Sequence, residues 1–119
     1  MEVWGADWEK YDESETTVFY YGVESVTRPS KDVVTVWEKR VYKVKGITEM
    51  VEEFGKKYET LSHMLIKSEL HCAEKKMKGL SFVNYSTDGK ILSSSSSASE
   101  WVSIDPDTTG ETLYKILCK

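Results

Sequence analysis

Residues 61–86 read LSHMLIKSELHCAEKKMKGLSFVNYS. Successive side chains of a strand point to opposite faces of its sheet. Met64, Ile66, Ser68, Leu70 and Cys72 therefore share one face, and Leu65, Lys67, Glu69 and His71 share the other. One side is mostly apolar and the other mostly polar, which is the pattern of a strand packed on one face only. The polar segment at residues 73–76 predicts a turn, and residues 77–86 predict a second strand, so the stretch is read as a β-hairpin.

A hairpin alone is marginal in water, and it needs further strands or a helix to cover it. Upstream, residues 33–45 are valine-rich with Trp37 and Tyr42 and give the strongest strand signal of the chain, ended by Gly46. The next apolar positions are Ile47, Met50, Val51, Phe54 and Tyr58, one face of an amphipathic helix over residues 47–58, with Thr48 able to cap its start and Gly55 placed either to end it early or merely to weaken it. Residues 8–13 and 16–21 predict two strands joined by the turn at Ser14 and Glu15. Residues 22–31 read as a connection with one short helical turn. Downstream, Asp88-Gly89 marks a turn, Ile91-Leu92 opens another strand, and residues 101–104 are strand-like. The five serines at 93–97 have the composition of a flexible linker, but the close flanks Ile91-Leu92 and Trp101-Val102 favour a polar edge strand or ordered loop. At the end, Thr108 followed by Glu111 is a capping box opening a short helix with Leu113, Tyr114, Ile116, Leu117 and Cys118 on it. The fold class is α+β, in a single domain spanning residues 1–119.

Composition excludes several functions. With 30% charged residues of interspersed sign and a net charge of −4, the chain lacks the clustered basic face of a nucleic-acid binder. No stretch approaches the ~20 apolar residues of a membrane-spanning helix. The start at residues 1–4 resembles a mature protein with an added initiator methionine, which places any export signal or lipid-attachment cysteine upstream of this sequence.

Catalytic signatures are missing. His63 and His71 on one strand would stand ~26 Å apart, too far for a dyad. There is no Gly-x-Ser-x-Gly elbow, no phosphate-binding glycine loop and no acidic calcium loop. The two cysteines, Cys72 and Cys118, fit no zinc pattern. From the residues alone they are either one bridge or two buried thiols. The aromatic set, including Trp8, Tyr11, Phe19, Tyr20, Tyr21, Trp37, Tyr42, Tyr85 and Trp101, is read as core and cross-strand packing, or in part as an exposed face suited to a partner.

Several features coincide: Trp8 in an N-terminal hairpin, Phe19-Tyr20-Tyr21, a Ser25-Val26-Thr27-Arg28 connection, Trp37 in a long strand, the pair Cys72 and Ser81, the Asp88-Gly89 turn, the serines before Glu100-Trp101, and the ending from Gly110 to Cys118-Lys119. This pattern resembles the surface-adhesin protein E family of bacterial envelope proteins over nearly the whole chain. The resemblance implies a six-stranded antiparallel sheet with a C-terminal helix packed on one face, tethered by a Cys72–Cys118 disulfide. The amphipathic segment at residues 47–58, inserted between strands, reads as an insertion relative to the family pattern. The implied function is an exported, non-catalytic binding or adhesion-type protein at the periplasm or cell surface. Its partner would be a protein or an envelope component, and a homodimer is compatible. No cofactor, metal site, nucleic acid or transmembrane segment is expected. The alternative is a periplasmic small-ligand binding protein, which requires a concave apolar pocket holding a few polar groups.

Overall fold

The computed structural model describes residues 7–119, so the start at residues 1–4 lies outside them. The elements are β1 (Trp8–Glu13), β2 (Thr17–Gly22), a 3₁₀ turn (Val23–Ser25), β3 (Thr27–Ser30), β4 (Val33–Tyr42), α1 (Val44–Phe54), a second 3₁₀ turn (Lys56–Thr60), β5 (Leu61–His71), β6 (Lys76–Ser86), β7 (Ile91–Ser95), β8 (Val102–Ser103) and α2 (Thr109–Leu117). Six strands run in the order β1-β2-β4-β5-β6-β7, while β3 pairs with β4 and β8 with β6 at the margins. The pairings are antiparallel. The architecture is an open α+β sheet with one helix between strands and one at the C-terminus, as the residues implied.

The long central pair sets the faces. β4 and β5 keep one unbroken register from Val33 opposite His71 to Val41 opposite His63. Val34, Val36, Glu38 and Arg40 therefore lie on one face with Leu70, Ser68, Ile66 and Met64. The alternation read in residues 61–72 is the alternation the sheet uses. Over one end of this face lies α2. Leu113, fully buried, and Leu117 pack with Ile104 onto Val34, Val36, Leu70 and Tyr21 to form the core.

Three links fix the last turn of α2. Cys72 and Cys118 form a disulfide. The Tyr114 hydroxyl donates to the Cys72 carbonyl at 2.9 Å, and Arg28 Nη2 donates to the Leu117 carbonyl at 2.8 Å. At the other end, Thr108 Oγ1 accepts from the Glu111 amide at 3.2 Å. The second half of the capping box is displaced, because the Glu111 carboxylate accepts from the Asp107 amide.

The structure corrects two local readings, at Gly46 and Thr48. Gly46 does not end a strand. β4 stops at Tyr42, and α1 begins at Val44 with Gly46 in its first turn. A Cβ at Gly46 would come within 2.4 Å of the Thr16 carbonyl oxygen, so only glycine lets the helix press on the β1–β2 turn. Thr48 is consequently inside the helix, and its hydroxyl bonds back to the Val44 carbonyl at 3.0 Å rather than capping. Of the two alternatives at Gly55 the structure takes the early stop, and the helix ends at Phe54, before Tyr58. Gly55 takes φ +109°, and a 3₁₀ turn then carries Tyr58 back over the sheet. In the connection at residues 22–31, a second feature accompanies the helical turn: β3 pairs at Thr27 and Ser30, either side of Pro29.

The serine run is ordered. Ser93 to Ser95 complete the edge strand β7, and beyond it the Ser99 amide donates to the Gly79 carbonyl at 2.8 Å.

Candidate functional site

Both helices lie on the same face of the sheet. The cross-strand rows show this: Tyr21, Glu38, Ile66, Phe82 and Ser95 pair in sequence, and so do Phe19, Arg40, Met64, Asn84 and Ser93. α2 covers the rows on one side of these. On the other side, Met50 and Phe54 of α1 and Tyr58 of the 3₁₀ turn stand over Tyr42, Met64, Phe82, Asn84 and Ser93, leaving a groove of about 360 Å³. Its lining includes no charged side chain. The Tyr58 hydroxyl donates to Ser93 Oγ at 2.9 Å, and Asn84 Nδ2 donates to the same oxygen at 3.1 Å. Burial raises the Tyr42 hydroxyl pKa above its ordinary value. Phe54, at the groove's rim, is 56% exposed.

Between the groove and α2 sits a buried charge. Glu38 is 1% exposed. Its two carboxylate oxygens accept from the Tyr11 hydroxyl and the Ser68 hydroxyl, each at 2.5 Å. Arg40 Nη2 stands 3.8 Å from it, with the guanidinium over the Phe19 ring. A carboxylate in so dry a place requires such donors, because an unpaired buried charge costs several kcal/mol. Burial, and next the Glu38 charge, push the Tyr11 hydroxyl pKa far up, so it stays a donor. Among the described residues, Arg40 Nε and Asn84 Oδ1 are buried on this face without a hydrogen-bond partner.

The sequence reading passed over Glu38 and Arg40. The signal was present in the period-two step from Val34 and Val36, which puts Glu38 and Arg40 on the buried side.

The opposite face carries neither α-helix. Trp37 lies there beside Lys39 and Lys67, which pair with Leu65 and Trp37 respectively. Lys39 Nζ stands 5.8 Å from the centre of the Trp8 ring, and Lys78 Nζ 4.6 Å from that of Trp101. Trp101 also meets His71 edge-on. Trp8, Trp37 and Trp101 thus lie, with lysines beside them, on the face that carries neither α-helix, Trp8 and Trp37 half-buried and Trp101 37% exposed. Tyr20 and Tyr21 point to opposite faces as expected, and Tyr21 is the buried one.

His63 and His71 are not brought together. The His63 ring stacks on Tyr85 with centroids 5.1 Å apart, and its Nδ1 lies 3.0 Å from the hydroxyl of its neighbour Ser62. The His71 Nδ1 accepts from the Glu74 amide. Neither histidine lines the groove. Among the described residues no group of histidine, cysteine or carboxylate side chains is placed to hold a metal, and no helix is long and apolar enough to cross a membrane.

Comparison with known proteins agrees with this architecture. A crystal structure of protein E from non-typeable Haemophilus influenzae superposes with a TM-score of 0.60 at 14% identity, covering 95% of this chain and 76% of that one. A selenomethionine form of Haemophilus influenzae protein E gives 0.60 at 15% identity, covering 91% and 89%. A second crystal form gives 0.58 at 16%, covering 98% and 96%. At such identities the likeness speaks for the fold. No curated protein matches the sequence. The model of the family described as surface-adhesin protein E, however, matches residues 8–119. The chain belongs to the surface-adhesin protein E family.

Proposed function

We propose that this chain is an exported, non-catalytic adhesion-type protein of the bacterial cell envelope, and that it engages a protein or envelope component through the helix-free face of its sheet. The observation that carries this reading is the placement of Trp8, Trp37 and Trp101 with Lys39, Lys67 and Lys78 on that face. Tryptophan offers large contact area at small entropic cost, and it dominates the energetics of many interfaces. The lysines keep the face soluble until a partner displaces water from it. Family membership supports an adhesion role, and the disulfide supports an oxidising compartment such as the periplasm or the cell surface.

The test is a binding panel of immobilised envelope and matrix components, read by surface plasmon resonance. Trp101→Ala and Trp37→Ala should each weaken any specific interaction about thirtyfold, the value of a hot-spot residue. Undiminished binding by both variants would remove the assignment to this face.

The groove under α1 favours a second reading, a periplasmic small-ligand binding protein. It is apolar, of ligand size at the low end, and holds a few convergent polar groups.

A further inference from the structure

The groove has two properties that ordinary packing leaves unexplained. Its lining is apolar and aromatic apart from Asn84 and Ser93, yet Phe54 remains largely exposed on its rim. Two of its walls are methionines, Met50 and Met64, whose unbranched side chains adapt to irregular shapes.

The second property is chemical. Asn84 is only 3% exposed, and its Nδ2 is used by Ser93 Oγ. That same oxygen accepts from the Tyr58 hydroxyl. The Asn84 carbonyl oxygen is left buried with no donor. Buried acceptors are nearly always paired, since an unpaired one carries its full desolvation cost. Among the described residues no N–H or O–H reaches Asn84 Oδ1, although the residue stands in the wall of a groove.

Charge narrows the choice further. Arg40 shares a cross-strand row with Met64 and Asn84, and Lys57 Nζ stands 5.3 Å from the centre of the Tyr58 ring. Glu38 faces Arg40 at 3.8 Å and offsets its guanidinium, and the groove's own lining holds no charged side chain, so an anionic head group gains little there.

We propose that the groove is a binding site for a small, uncharged, mainly apolar molecule carrying one hydrogen-bond donor, with the donor satisfying Asn84 Oδ1. The site rests on the small-ligand reading above and is independent of the helix-free face. A flat aromatic ring lies between Phe54, Phe82 and the methionines, and its N–H or O–H is directed down to Asn84. The Met64 and Phe82 side chains, both half-buried, move aside to open that path.

The full chain, labelled with ¹³C at its methionine methyls, is titrated with indole, 1-methylindole and indole-3-acetate. Met50 and Met64 report from the groove, and Met77, packed beside Gly110 of α2, is the internal control. Indole is expected to shift the Met50 and Met64 methyls saturably and to leave Met77 unmoved. 1-Methylindole, which lacks the donor, should bind about tenfold more weakly. Indole-3-acetate should bind no better than indole. In Asn84→Ala the preference for indole over 1-methylindole should vanish, and should that variant not fold, the comparison within the native chain decides. Equal binding of indole and 1-methylindole by the native protein overturns the hydrogen-bond assignment while leaving a ligand groove. Tighter binding of the acetate overturns the assignment of an uncharged ligand. No saturable shift with any of the three removes the small-ligand reading itself.

Discussion

Replacing Cys72 and Cys118 by alanine tests how the C-terminal helix is held. The two cysteines are 46 residues apart. Cross-linking a loop of that length removes chain entropy from the unfolded state worth about 4 kcal/mol at 25 °C. Both cysteines are only partly buried, so their truncation opens little cavity. A net loss of about 3–4 kcal/mol is therefore expected. Unfolding a chain of this size carries an entropy of roughly 250 cal/mol/K, so Tm should fall by about 12–16 °C. Far-UV circular dichroism melts of the native protein and the double variant, at one pH and salt concentration, measure this. The native protein after reduction should melt near the double variant. A fall of less than about 4 °C, or about 1 kcal/mol, would show that Leu113 and Leu117 hold the helix without help from the bridge. Two free sulfhydryls in the unreduced native protein would refute the reasoning at its root.

Three other outcomes follow from the packing. Glu38→Gln turns one accepting oxygen into a donor against a hydroxyl and leaves Arg40 uncompensated, so urea unfolding should show a loss of about 2–4 kcal/mol; a change under about 0.5 kcal/mol would deny the network its role. Gly46→Ala, which in an open helix would be favourable, should instead destabilise by about 1–3 kcal/mol, because the new methyl meets the Thr16 carbonyl at 2.4 Å. A hydrogen bond from Lys75, then one from the Asp107 amide, holds the Glu111 carboxyl at about 2, and hydrogen bonds from Lys10 and Lys43 hold that of Glu13 at about 2, both below the ordinary 4.5. A depressed folded-state pKa contributes stability that is complete above the unfolded value and lost as pH falls through the folded one. Tm should therefore drop between pH ~4.5 and ~2, and Glu111→Gln together with Glu13→Gln should flatten that drop; an unchanged profile would contradict the two pairings.

Much of the sheet could be read directly because its residues behave locally. The β-branched run in β4 and the alternation in β5 each encode a face, and the cap at Thr108 encodes a helix start. The readings that failed depended on long-range contact. Gly46 looks like a strand stop in isolation, and its purpose appears only when Thr16, thirty positions earlier, is set against it. β3 was missed because Pro29 cannot donate to a ladder, yet the residues flanking it pair. Glu38 was passed over, although its parity with Val34 and Val36 pointed inward. The groove draws on four separate segments, β4, α1 with its following turn, β5 and the β6–β7 pair. No local pattern in any of them announces the unpaired carbonyl of Asn84.

Placing both helices on one side of the sheet divides the molecule's obligations. Cohesion comes from the covered side, where Val34, Val36, Leu70, Leu113 and Leu117 interlock. On the bare side Leu65 is buried, but replacements of the exposed side chains there usually shift the folding equilibrium by no more than about 0.5 kcal/mol. A lineage could therefore rewrite that surface position by position, trading one target for another, without first having to reinforce the scaffold beneath it.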